Sequence, residues 1–230
     1  MTTRSIAATY ALACAFAAAP AASAQPADGA LVTRPGALLG RVATFRGTLD
    51  ARRTVVLQRR QADGSWKRVA RTRAGSRGTF VARWRADTLG PATVRAITAG
   101  AQAASSQLTA SLTVYRPARA TWYGPGFYGN KTACGQVMSH ALLGVAHRTL
   151  PCGTPVAIYY GGRTITVPVI DRGPFANGAQ YDLTSAAAEA VGMTGTSTIG
   201  VIPQRGAHMN PPAPAGAGAA PDGTGGVPSG

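Results

Sequence analysis

The chain is written in short apolar runs of period two separated by glycine-containing turns, and one stretch alone reads as helix. In TFVARW, Phe80, Ala82 and Trp84 alternate with Val81 and Arg83; in LTASLTV, Leu108, Ala110, Leu112 and Val114 alternate with Thr and Ser. Such alternation sets one face of a strand on a core and the other in solvent. Asp63-Gly64 between VVLQRR and WKRVARTR, and Gly161-Gly162 between TPVAIYY and RTITVPVI, are two-residue hairpin turns. Pro168 inside the second of these hairpins implies an edge or a bulge, because proline has no N–H to give to a ladder. The helical exception is SAAAEAVG, with Thr184 to cap its start, alanines to favour it and Gly192 to end it. TSTIGVIP supplies a last strand. The fold class is all-β with one short helix.

Residues 1–24 read as an export signal: Arg4 precedes an apolar stretch that ends in Ala22-Ser23-Ala24, an A-x-A cleavage pattern. Ala11-Leu12-Ala13-Cys14 is a looser lipid-attachment pattern, and the apolar residues beyond Cys14 favour ordinary cleavage. No later segment is long and apolar enough for a transmembrane helix. Residues 25–35 are a polar linker. Residues 36–115 carry several short strands with no helical pattern between them, which predicts a small sandwich with Trp66 and Trp84 in its core. A domain of that size buries only a modest core. Arg116-Pro117-Ala118-Arg119 reads as a linker (116–119) into a second domain at 120–204. Residues 205–230, rich in Gly, Pro and Ala, have little to bury and read as a disordered tail.

Loss of the leader would leave two cysteines, Cys134 and Cys152, and an even pair outside the cytoplasm predicts a disulfide. His140 and His147 lie between them and complete a Cys2His2 set, but the spacing matches no common zinc pattern, so no metal and no cofactor is expected. The net charge of +15 is uneven: 16 Lys/Arg face three Asp between Arg34 and Arg116, against five and three between Ala120 and Arg205. An exported basic domain meets anionic wall polymers before nucleic acid, so wall binding by residues 36–115 stands beside a merely solvated surface.

The second domain is poor in carboxylates, holding only Asp171, Asp182 and Glu189. Glu189 falls in the short helix. Asp182 directly precedes that helix, where a carboxylate can accept backbone N–H bonds. Asp171 closes the apolar run VPVIDRGPF, on a strand end that fixes its position, and is the best candidate for an acid. Arg172 beside it either pairs with Asp171 or faces solvent.

Four stretches, TWYGPGFYGNKTACG, ALLGVAHRTLPCGT, VIDRGPF and YDLTSAAAEAVGM, occur in this order across residues 120–203. Together they resemble the double-psi β-barrel domain of the rare lipoprotein A (RlpA) family and, more distantly, expansins. The N-terminal domain resembles a bacterial immunoglobulin-like module. The resemblance implies an immunoglobulin-like β-sandwich followed by a six-stranded double-psi β-barrel. It also implies a secreted, wall-associated lytic transglycosylase that cuts MurNAc–GlcNAc bonds of peptidoglycan and leaves 1,6-anhydro ends. By motif, the family's catalytic Asp falls on Asp171 and its His on His147, whereas its Glu falls on Gln136, which cannot exchange a proton. A lytic transglycosylase needs one acid, because its conjugate base can take the proton from the sugar's own C6 hydroxyl. A hydrolase needs two carboxylates. Gln136, Tyr123, Arg172 and Asp182 are then the expected glycan contacts, and His147 either supports Asp171 or ties a loop to backbone. Trp122 is expected in the core and Tyr123 in the groove. The alternative reading is a non-catalytic, expansin-like wall-binding or wall-loosening protein. A secreted barrel that recognises a protein is a more distant third.

Overall fold

The computed structural model describes residues 29–100, 107–176 and 178–209. The expected leader with Cys14, and residues 210–230 of the expected tail, lie outside the described residues. Twelve strands and one helix follow in order. In the first half of the chain these are β1 (Gly36–Leu38), β2 (Val42–Thr48), β3 (Thr54–Arg60), β4 (Trp66–Arg73), β5 (Thr79–Arg85) and β6 (Gly90–Thr98). In the second half they are β7 (Gln107–Tyr123), β8 (Val145–Ala146), β9 (Pro155–Tyr160), β10 (Arg163–Asp171), β11 (Tyr181–Thr184), α1 (Ser185–Val191) and β12 (Ser197–Pro203).

The N-terminal lobe has two layers. One is the sheet β4-β3-β6-β7, with β1 parallel to β7; the other is the antiparallel pair β2–β5. Their inner faces share one core, in which Phe45, Phe80, Ala82 and Trp84 of the pair meet Val55, Leu57, Val94, Ala96, Leu112 and Val114 of the sheet. The alternation in TFVARW and LTASLTV is thus the alternation of core and solvent faces. Trp84 is buried as expected, but Trp66 is half-exposed and lies beneath the Arg95 guanidinium at 4.1 Å. The immunoglobulin-like expectation is met only as far as two layers around a core. The second layer has two strands, and the first does not stop at the lobe's edge.

The reason is β7. It runs unbroken for 17 residues, and the expected linker 116–119 lies inside it. Its first half pairs with β6 and β1, its second with β11 and β12. Pro117 is tolerated there because, on the edge of β7 away from β12, β1 pairs only as far as Tyr115 and β11 begins at Ala120, so that edge asks for no N–H at Pro117. The lobes also meet where Tyr115 and Tyr159 stack, ring centroids 5.3 Å apart.

From β7 the second lobe closes into a ring of six strands, β7-β11-β8-β10-β9-β12 and back to β7. This closed ring is consistent with a double-psi-like barrel. Closure removes sheet edges, and the interior is filled by Val145, Val156, Ile158, Val167, Val169, Leu183 and Ile199. Helix α1 plugs one side through Ala187, Ala188 and Val191. The Thr184 hydroxyl accepts the N–H of Ala187 at 3.3 Å and that of Gly144 at 3.2 Å, and Gly192 ends the helix in the left-handed region. Thr184 is fully buried, so Thr184→Ala would strand two donors. Its expected cost is about 2 kcal/mol, read as a lower urea midpoint at unchanged slope.

Candidate functional site

Pro168 explains how Asp171 comes to be displayed. In the β9–β10 ladder Pro168 stands opposite Pro155, so neither residue can donate and that ladder ends. Strand β10 then turns to β8, with Val169 opposite Val145, and a register shift before Asp171 pairs with Ala146. Such an irregularity re-aims the side chain that follows it. The backbone is secured on both sides: His147 N–H donates to the Asp171 carbonyl at 3.1 Å, and Cys134 N–H to the Ile170 carbonyl at 3.2 Å.

The Asp171 carboxylate is held through one oxygen. Its Oδ1 accepts the N–H of Ala133 and the N–H of Arg172, both at 2.8 Å. Among the described residues its Oδ2 accepts only the Tyr123 hydroxyl, at a long 3.3 Å. Oδ1 has spent both lone pairs, while Oδ2 keeps one to offer outward. Burial, and then the Asp171 charge, push the Tyr123 phenol well above its ordinary range, so it stays a donor to Asp171.

Asp182 belongs to the same surface. Across β10, β8, β11 and β7 the paired residues run Asp171, Ala146, Asp182, Thr121, and the Thr121 hydroxyl donates to Asp182 at 2.7 Å. Burial raises the Asp182 carboxyl above its ordinary value, and the charge of Asp171 adds to the rise against the Thr121 bond. The expected contact between Asp182 and the helix start is absent among the described residues: Thr184 caps α1 instead.

The loop over this surface is tied down at several points. Cys134 and Cys152 are bonded, which takes both cysteines out of any Cys2His2 set, and His140 instead packs its ring on Tyr128. Gln136 closes a turn with Thr132, its Oε1 accepting the Thr132 hydroxyl at 3.1 Å and its N–H donating back at 3.2 Å. Met138, Leu142 and Ile170 form a small core under this loop, with Tyr123 and Tyr128 against it.

Two expected site residues are directed elsewhere. The Arg172 guanidinium neither pairs with the Asp171 carboxylate nor stands free; it donates to the carbonyl of Leu150 at 2.9 Å, to that of His147 at 3.3 Å and to Cys152 Sγ at 3.2 Å. Arginine 172 therefore holds the shape of the loop at 147–152. His147 turns its ring to Tyr181, centroids 4.7 Å apart, and among the described residues no hydrogen bond joins that ring to Asp171. Its Nδ1 accepts the N–H groups of Thr149 and Leu150, which leaves the proton on Nε2. Burial, with Arg148 and Arg172 nearby, lowers its pKa and keeps it neutral.

The structure thus brings together Asp171, Tyr123, Asp182 and the Gln136 loop, and leaves the His147 ring and the Arg172 guanidinium to other partners. Trp122 is 38 % exposed rather than core. Thr121 was not expected, although its place two residues before Tyr123 puts both on one face of β7. Large apolar side chains also stand exposed on the neighbouring segments: Phe127, edge-on to Tyr123, Val137 beside Gln136, and Phe175, which is 80 % exposed.

Residues 117–205 match the family model described as lytic transglycolase. Among curated relatives, the probable endolytic peptidoglycan transglycosylase RlpA of Synechocystis is 46% identical over 76 residues, 32% of this chain and 24% of that protein. The endolytic peptidoglycan transglycosylase RlpA of Campylobacter jejuni is 42% identical over 84 residues, 36% of this chain and 30% of that protein. That of Aquifex aeolicus, again a probable one, is 43% identical over 86 residues, 36% of this chain and 37% of that protein. The chain therefore spans about a quarter to a third of the length of the curated relatives it matches. Among solved structures, Streptomyces papain inhibitor aligns with 37% of this chain and 91% of its own at 28% identity and a TM-score of 0.28. By the family model and the curated relatives, residues 117–205 are similar to RlpA-type proteins. Among the described residues no helix is long and apolar enough to cross a membrane.

Proposed function

We propose that the protein acts on the glycan strands of peptidoglycan outside the cytoplasm, as a lytic transglycosylase with Asp171 as its single acid and base. The observation that carries this reading is the asymmetry of the carboxylate: Oδ1 is saturated by two backbone donors, whereas Oδ2 accepts one long hydrogen bond from Tyr123 and keeps a lone pair. A group fixed through one oxygen can present the other at a constant angle to a bond above it. Protonated at Oδ2, Asp171 gives its proton to the glycosidic oxygen as the C1–O4 bond breaks. The carboxylate then takes the proton of the C6 hydroxyl while O6 bonds to C1. No water is consumed and the enzyme ends as it began.

Tyr123 donates to the carboxylate form, and Asp182 with Thr121 offers polar contacts further along the surface. Phe127 and Phe175 provide exposed aromatic faces for sugar rings. In this scheme His147 and Arg172 are positioning residues, acting through the 147–152 loop and the carbonyl of Asp171. The basic N-terminal lobe would add affinity for anionic wall polymers.

The test is digestion of purified peptidoglycan, intact and amidase-stripped, with mass spectrometry for anhydro-muropeptides. Their appearance is the expected result. Binding to sacculi without products would instead favour a wall-binding, expansin-like protein. That second reading rests on Gln136, whose amide stands where the family motif has Glu and is engaged within its own turn. Gln136→Glu sharpens the comparison: it should raise turnover in a lyase that works below its family's capacity, and leave a pure binder inactive.

A further inference from the structure

A second concave surface lies where the two lobes meet. It is a cleft of about 640 Å3 whose lining includes Arg116, Arg148, Arg205, His147, Gln180 and Tyr181. Three guanidiniums in one concavity repel one another, and none has a carboxylate within salt-bridge distance among the described residues, where Asp87 alone forms ion pairs. Arg116, Arg148 and Arg205 line the cleft together with the His147–Tyr181 pair, whose rings are tilted at 48°, and Arg148 donates to the Ala179 carbonyl at 2.8 Å. Asp182, the carboxylate next to Tyr181 in sequence, bonds to Thr121 on the other face of β11. The cleft wall therefore carries positive charge with no acidic relief, and a positive concavity concentrates anions. His147 adds a neutral Nε2–H donor, because Nδ1 is occupied by backbone N–H groups.

We propose that this cleft is a binding site for a ligand carrying two or more closely spaced oxyanions, phosphate or carboxylate. Guanidinium forks match both groups in geometry, and the volume lies within the range of small-molecule sites. The inference does not require the reaction proposed at Asp171, although His147 borders both sites. It also differs from general attraction to the basic N-terminal lobe, since Arg148 and Arg205 belong to the barrel.

The test is calorimetric titration of the full chain at low ionic strength with tripolyphosphate and, separately, with citrate. The imidazole resonances of His147 are followed in parallel. Arg116→Ala/Arg205→Ala is compared with Arg71→Ala/Arg73→Ala, which removes the same charge from the exposed side of β4. Arg116 and Arg205 are exposed and make no side-chain hydrogen bond among the described residues, so their removal should leave the fold intact. The expected result is saturable binding that weakens about tenfold or more in the cleft variant and stays near wild type in the β4 variant, with His147 resonances moving on saturation. The stronger arm identifies phosphate or carboxylate as the preferred group. An equal loss in both variants, binding without movement of His147, or no binding of either anion at millimolar concentration would each overturn the proposal.

Discussion

Asp171→Asn is expected to abolish anhydro-muropeptide formation while leaving a folded protein. The two halves of that result follow from different oxygens. The asparagine carbonyl can replace Oδ1 and accept the same N–H groups of Ala133 and Arg172, so the loop at 132–136 keeps its anchor. The amide NH2 would then take the place of Oδ2 and donate to the Tyr123 oxygen rather than accept from its hydroxyl. No charged group is left unpaired, and the thermal midpoint should stay close to wild type. What disappears is the oxygen that the proposed mechanism uses to carry a proton to the glycosidic bond and take another from the sugar. Removal of a general acid and base costs about 100- to 10,000-fold in rate, which should take the anhydro products below detection. Tyr123→Phe should fall between: the donor to Oδ2 is lost but the oxygen remains. If Asp171→Asn retained wild-type turnover, the acid would have to be sought elsewhere, with the raised carboxyl of Asp182 as the next group to test.

Much of this was legible in the sequence, because the relevant signals are local. Helix α1 was readable from Thr184, a run of alanines and Gly192, each acting within a few residues. Asp171 stood out as a candidate because the second lobe has so few carboxylates, and its place at a strand end was readable from VPVIDRGPF. The Cys134–Cys152 bond followed from counting. What could not be read depends on which edge of a strand is occupied and which way a side chain turns after an irregularity. Arg116-Pro117-Ala118-Arg119 has the composition of a linker, yet β12 pairs along it while the opposite edge is vacant where Pro117 needs it to be. His147 and Asp171 are linked by a backbone hydrogen bond, but the register shift between Val169 and Asp171 decides which faces their side chains take. Arg172 could be read as a partner of Asp171 or as a solvent residue. The carbonyls that hold it come from a loop some 20 residues earlier, whose path no local pattern encodes.

The double substitution Cys134→Ala/Cys152→Ala is expected to cost much stability and comparatively little chemistry. The bond spans 18 residues, and closing a loop of that length restricts the unfolded chain by about 3 kcal/mol. For a chain of this size that corresponds to a fall in thermal midpoint of roughly 6–12 °C. The folded loops, by contrast, have other anchors. Cys134 N–H donates to Ile170, Ala133 N–H to Asp171, and Gly153 N–H to Val169 at 2.7 Å, so both ends of the bridge are docked on β10 independently of the sulfurs. Arg172 would lose its contact to Cys152 Sγ but keep the carbonyls of Leu150 and His147. Guanidinium denaturation of the variant, and of wild type with and without reductant, should therefore show a lowered midpoint common to the variant and reduced wild type. Well below that midpoint, product formation and glycan binding should stay within a few-fold of wild type. A collapse of both at a temperature where the variant is fully folded would mean that the sulfur bridge itself sets the position of Ala133 against Asp171, and that the backbone hydrogen bonds follow it rather than lead.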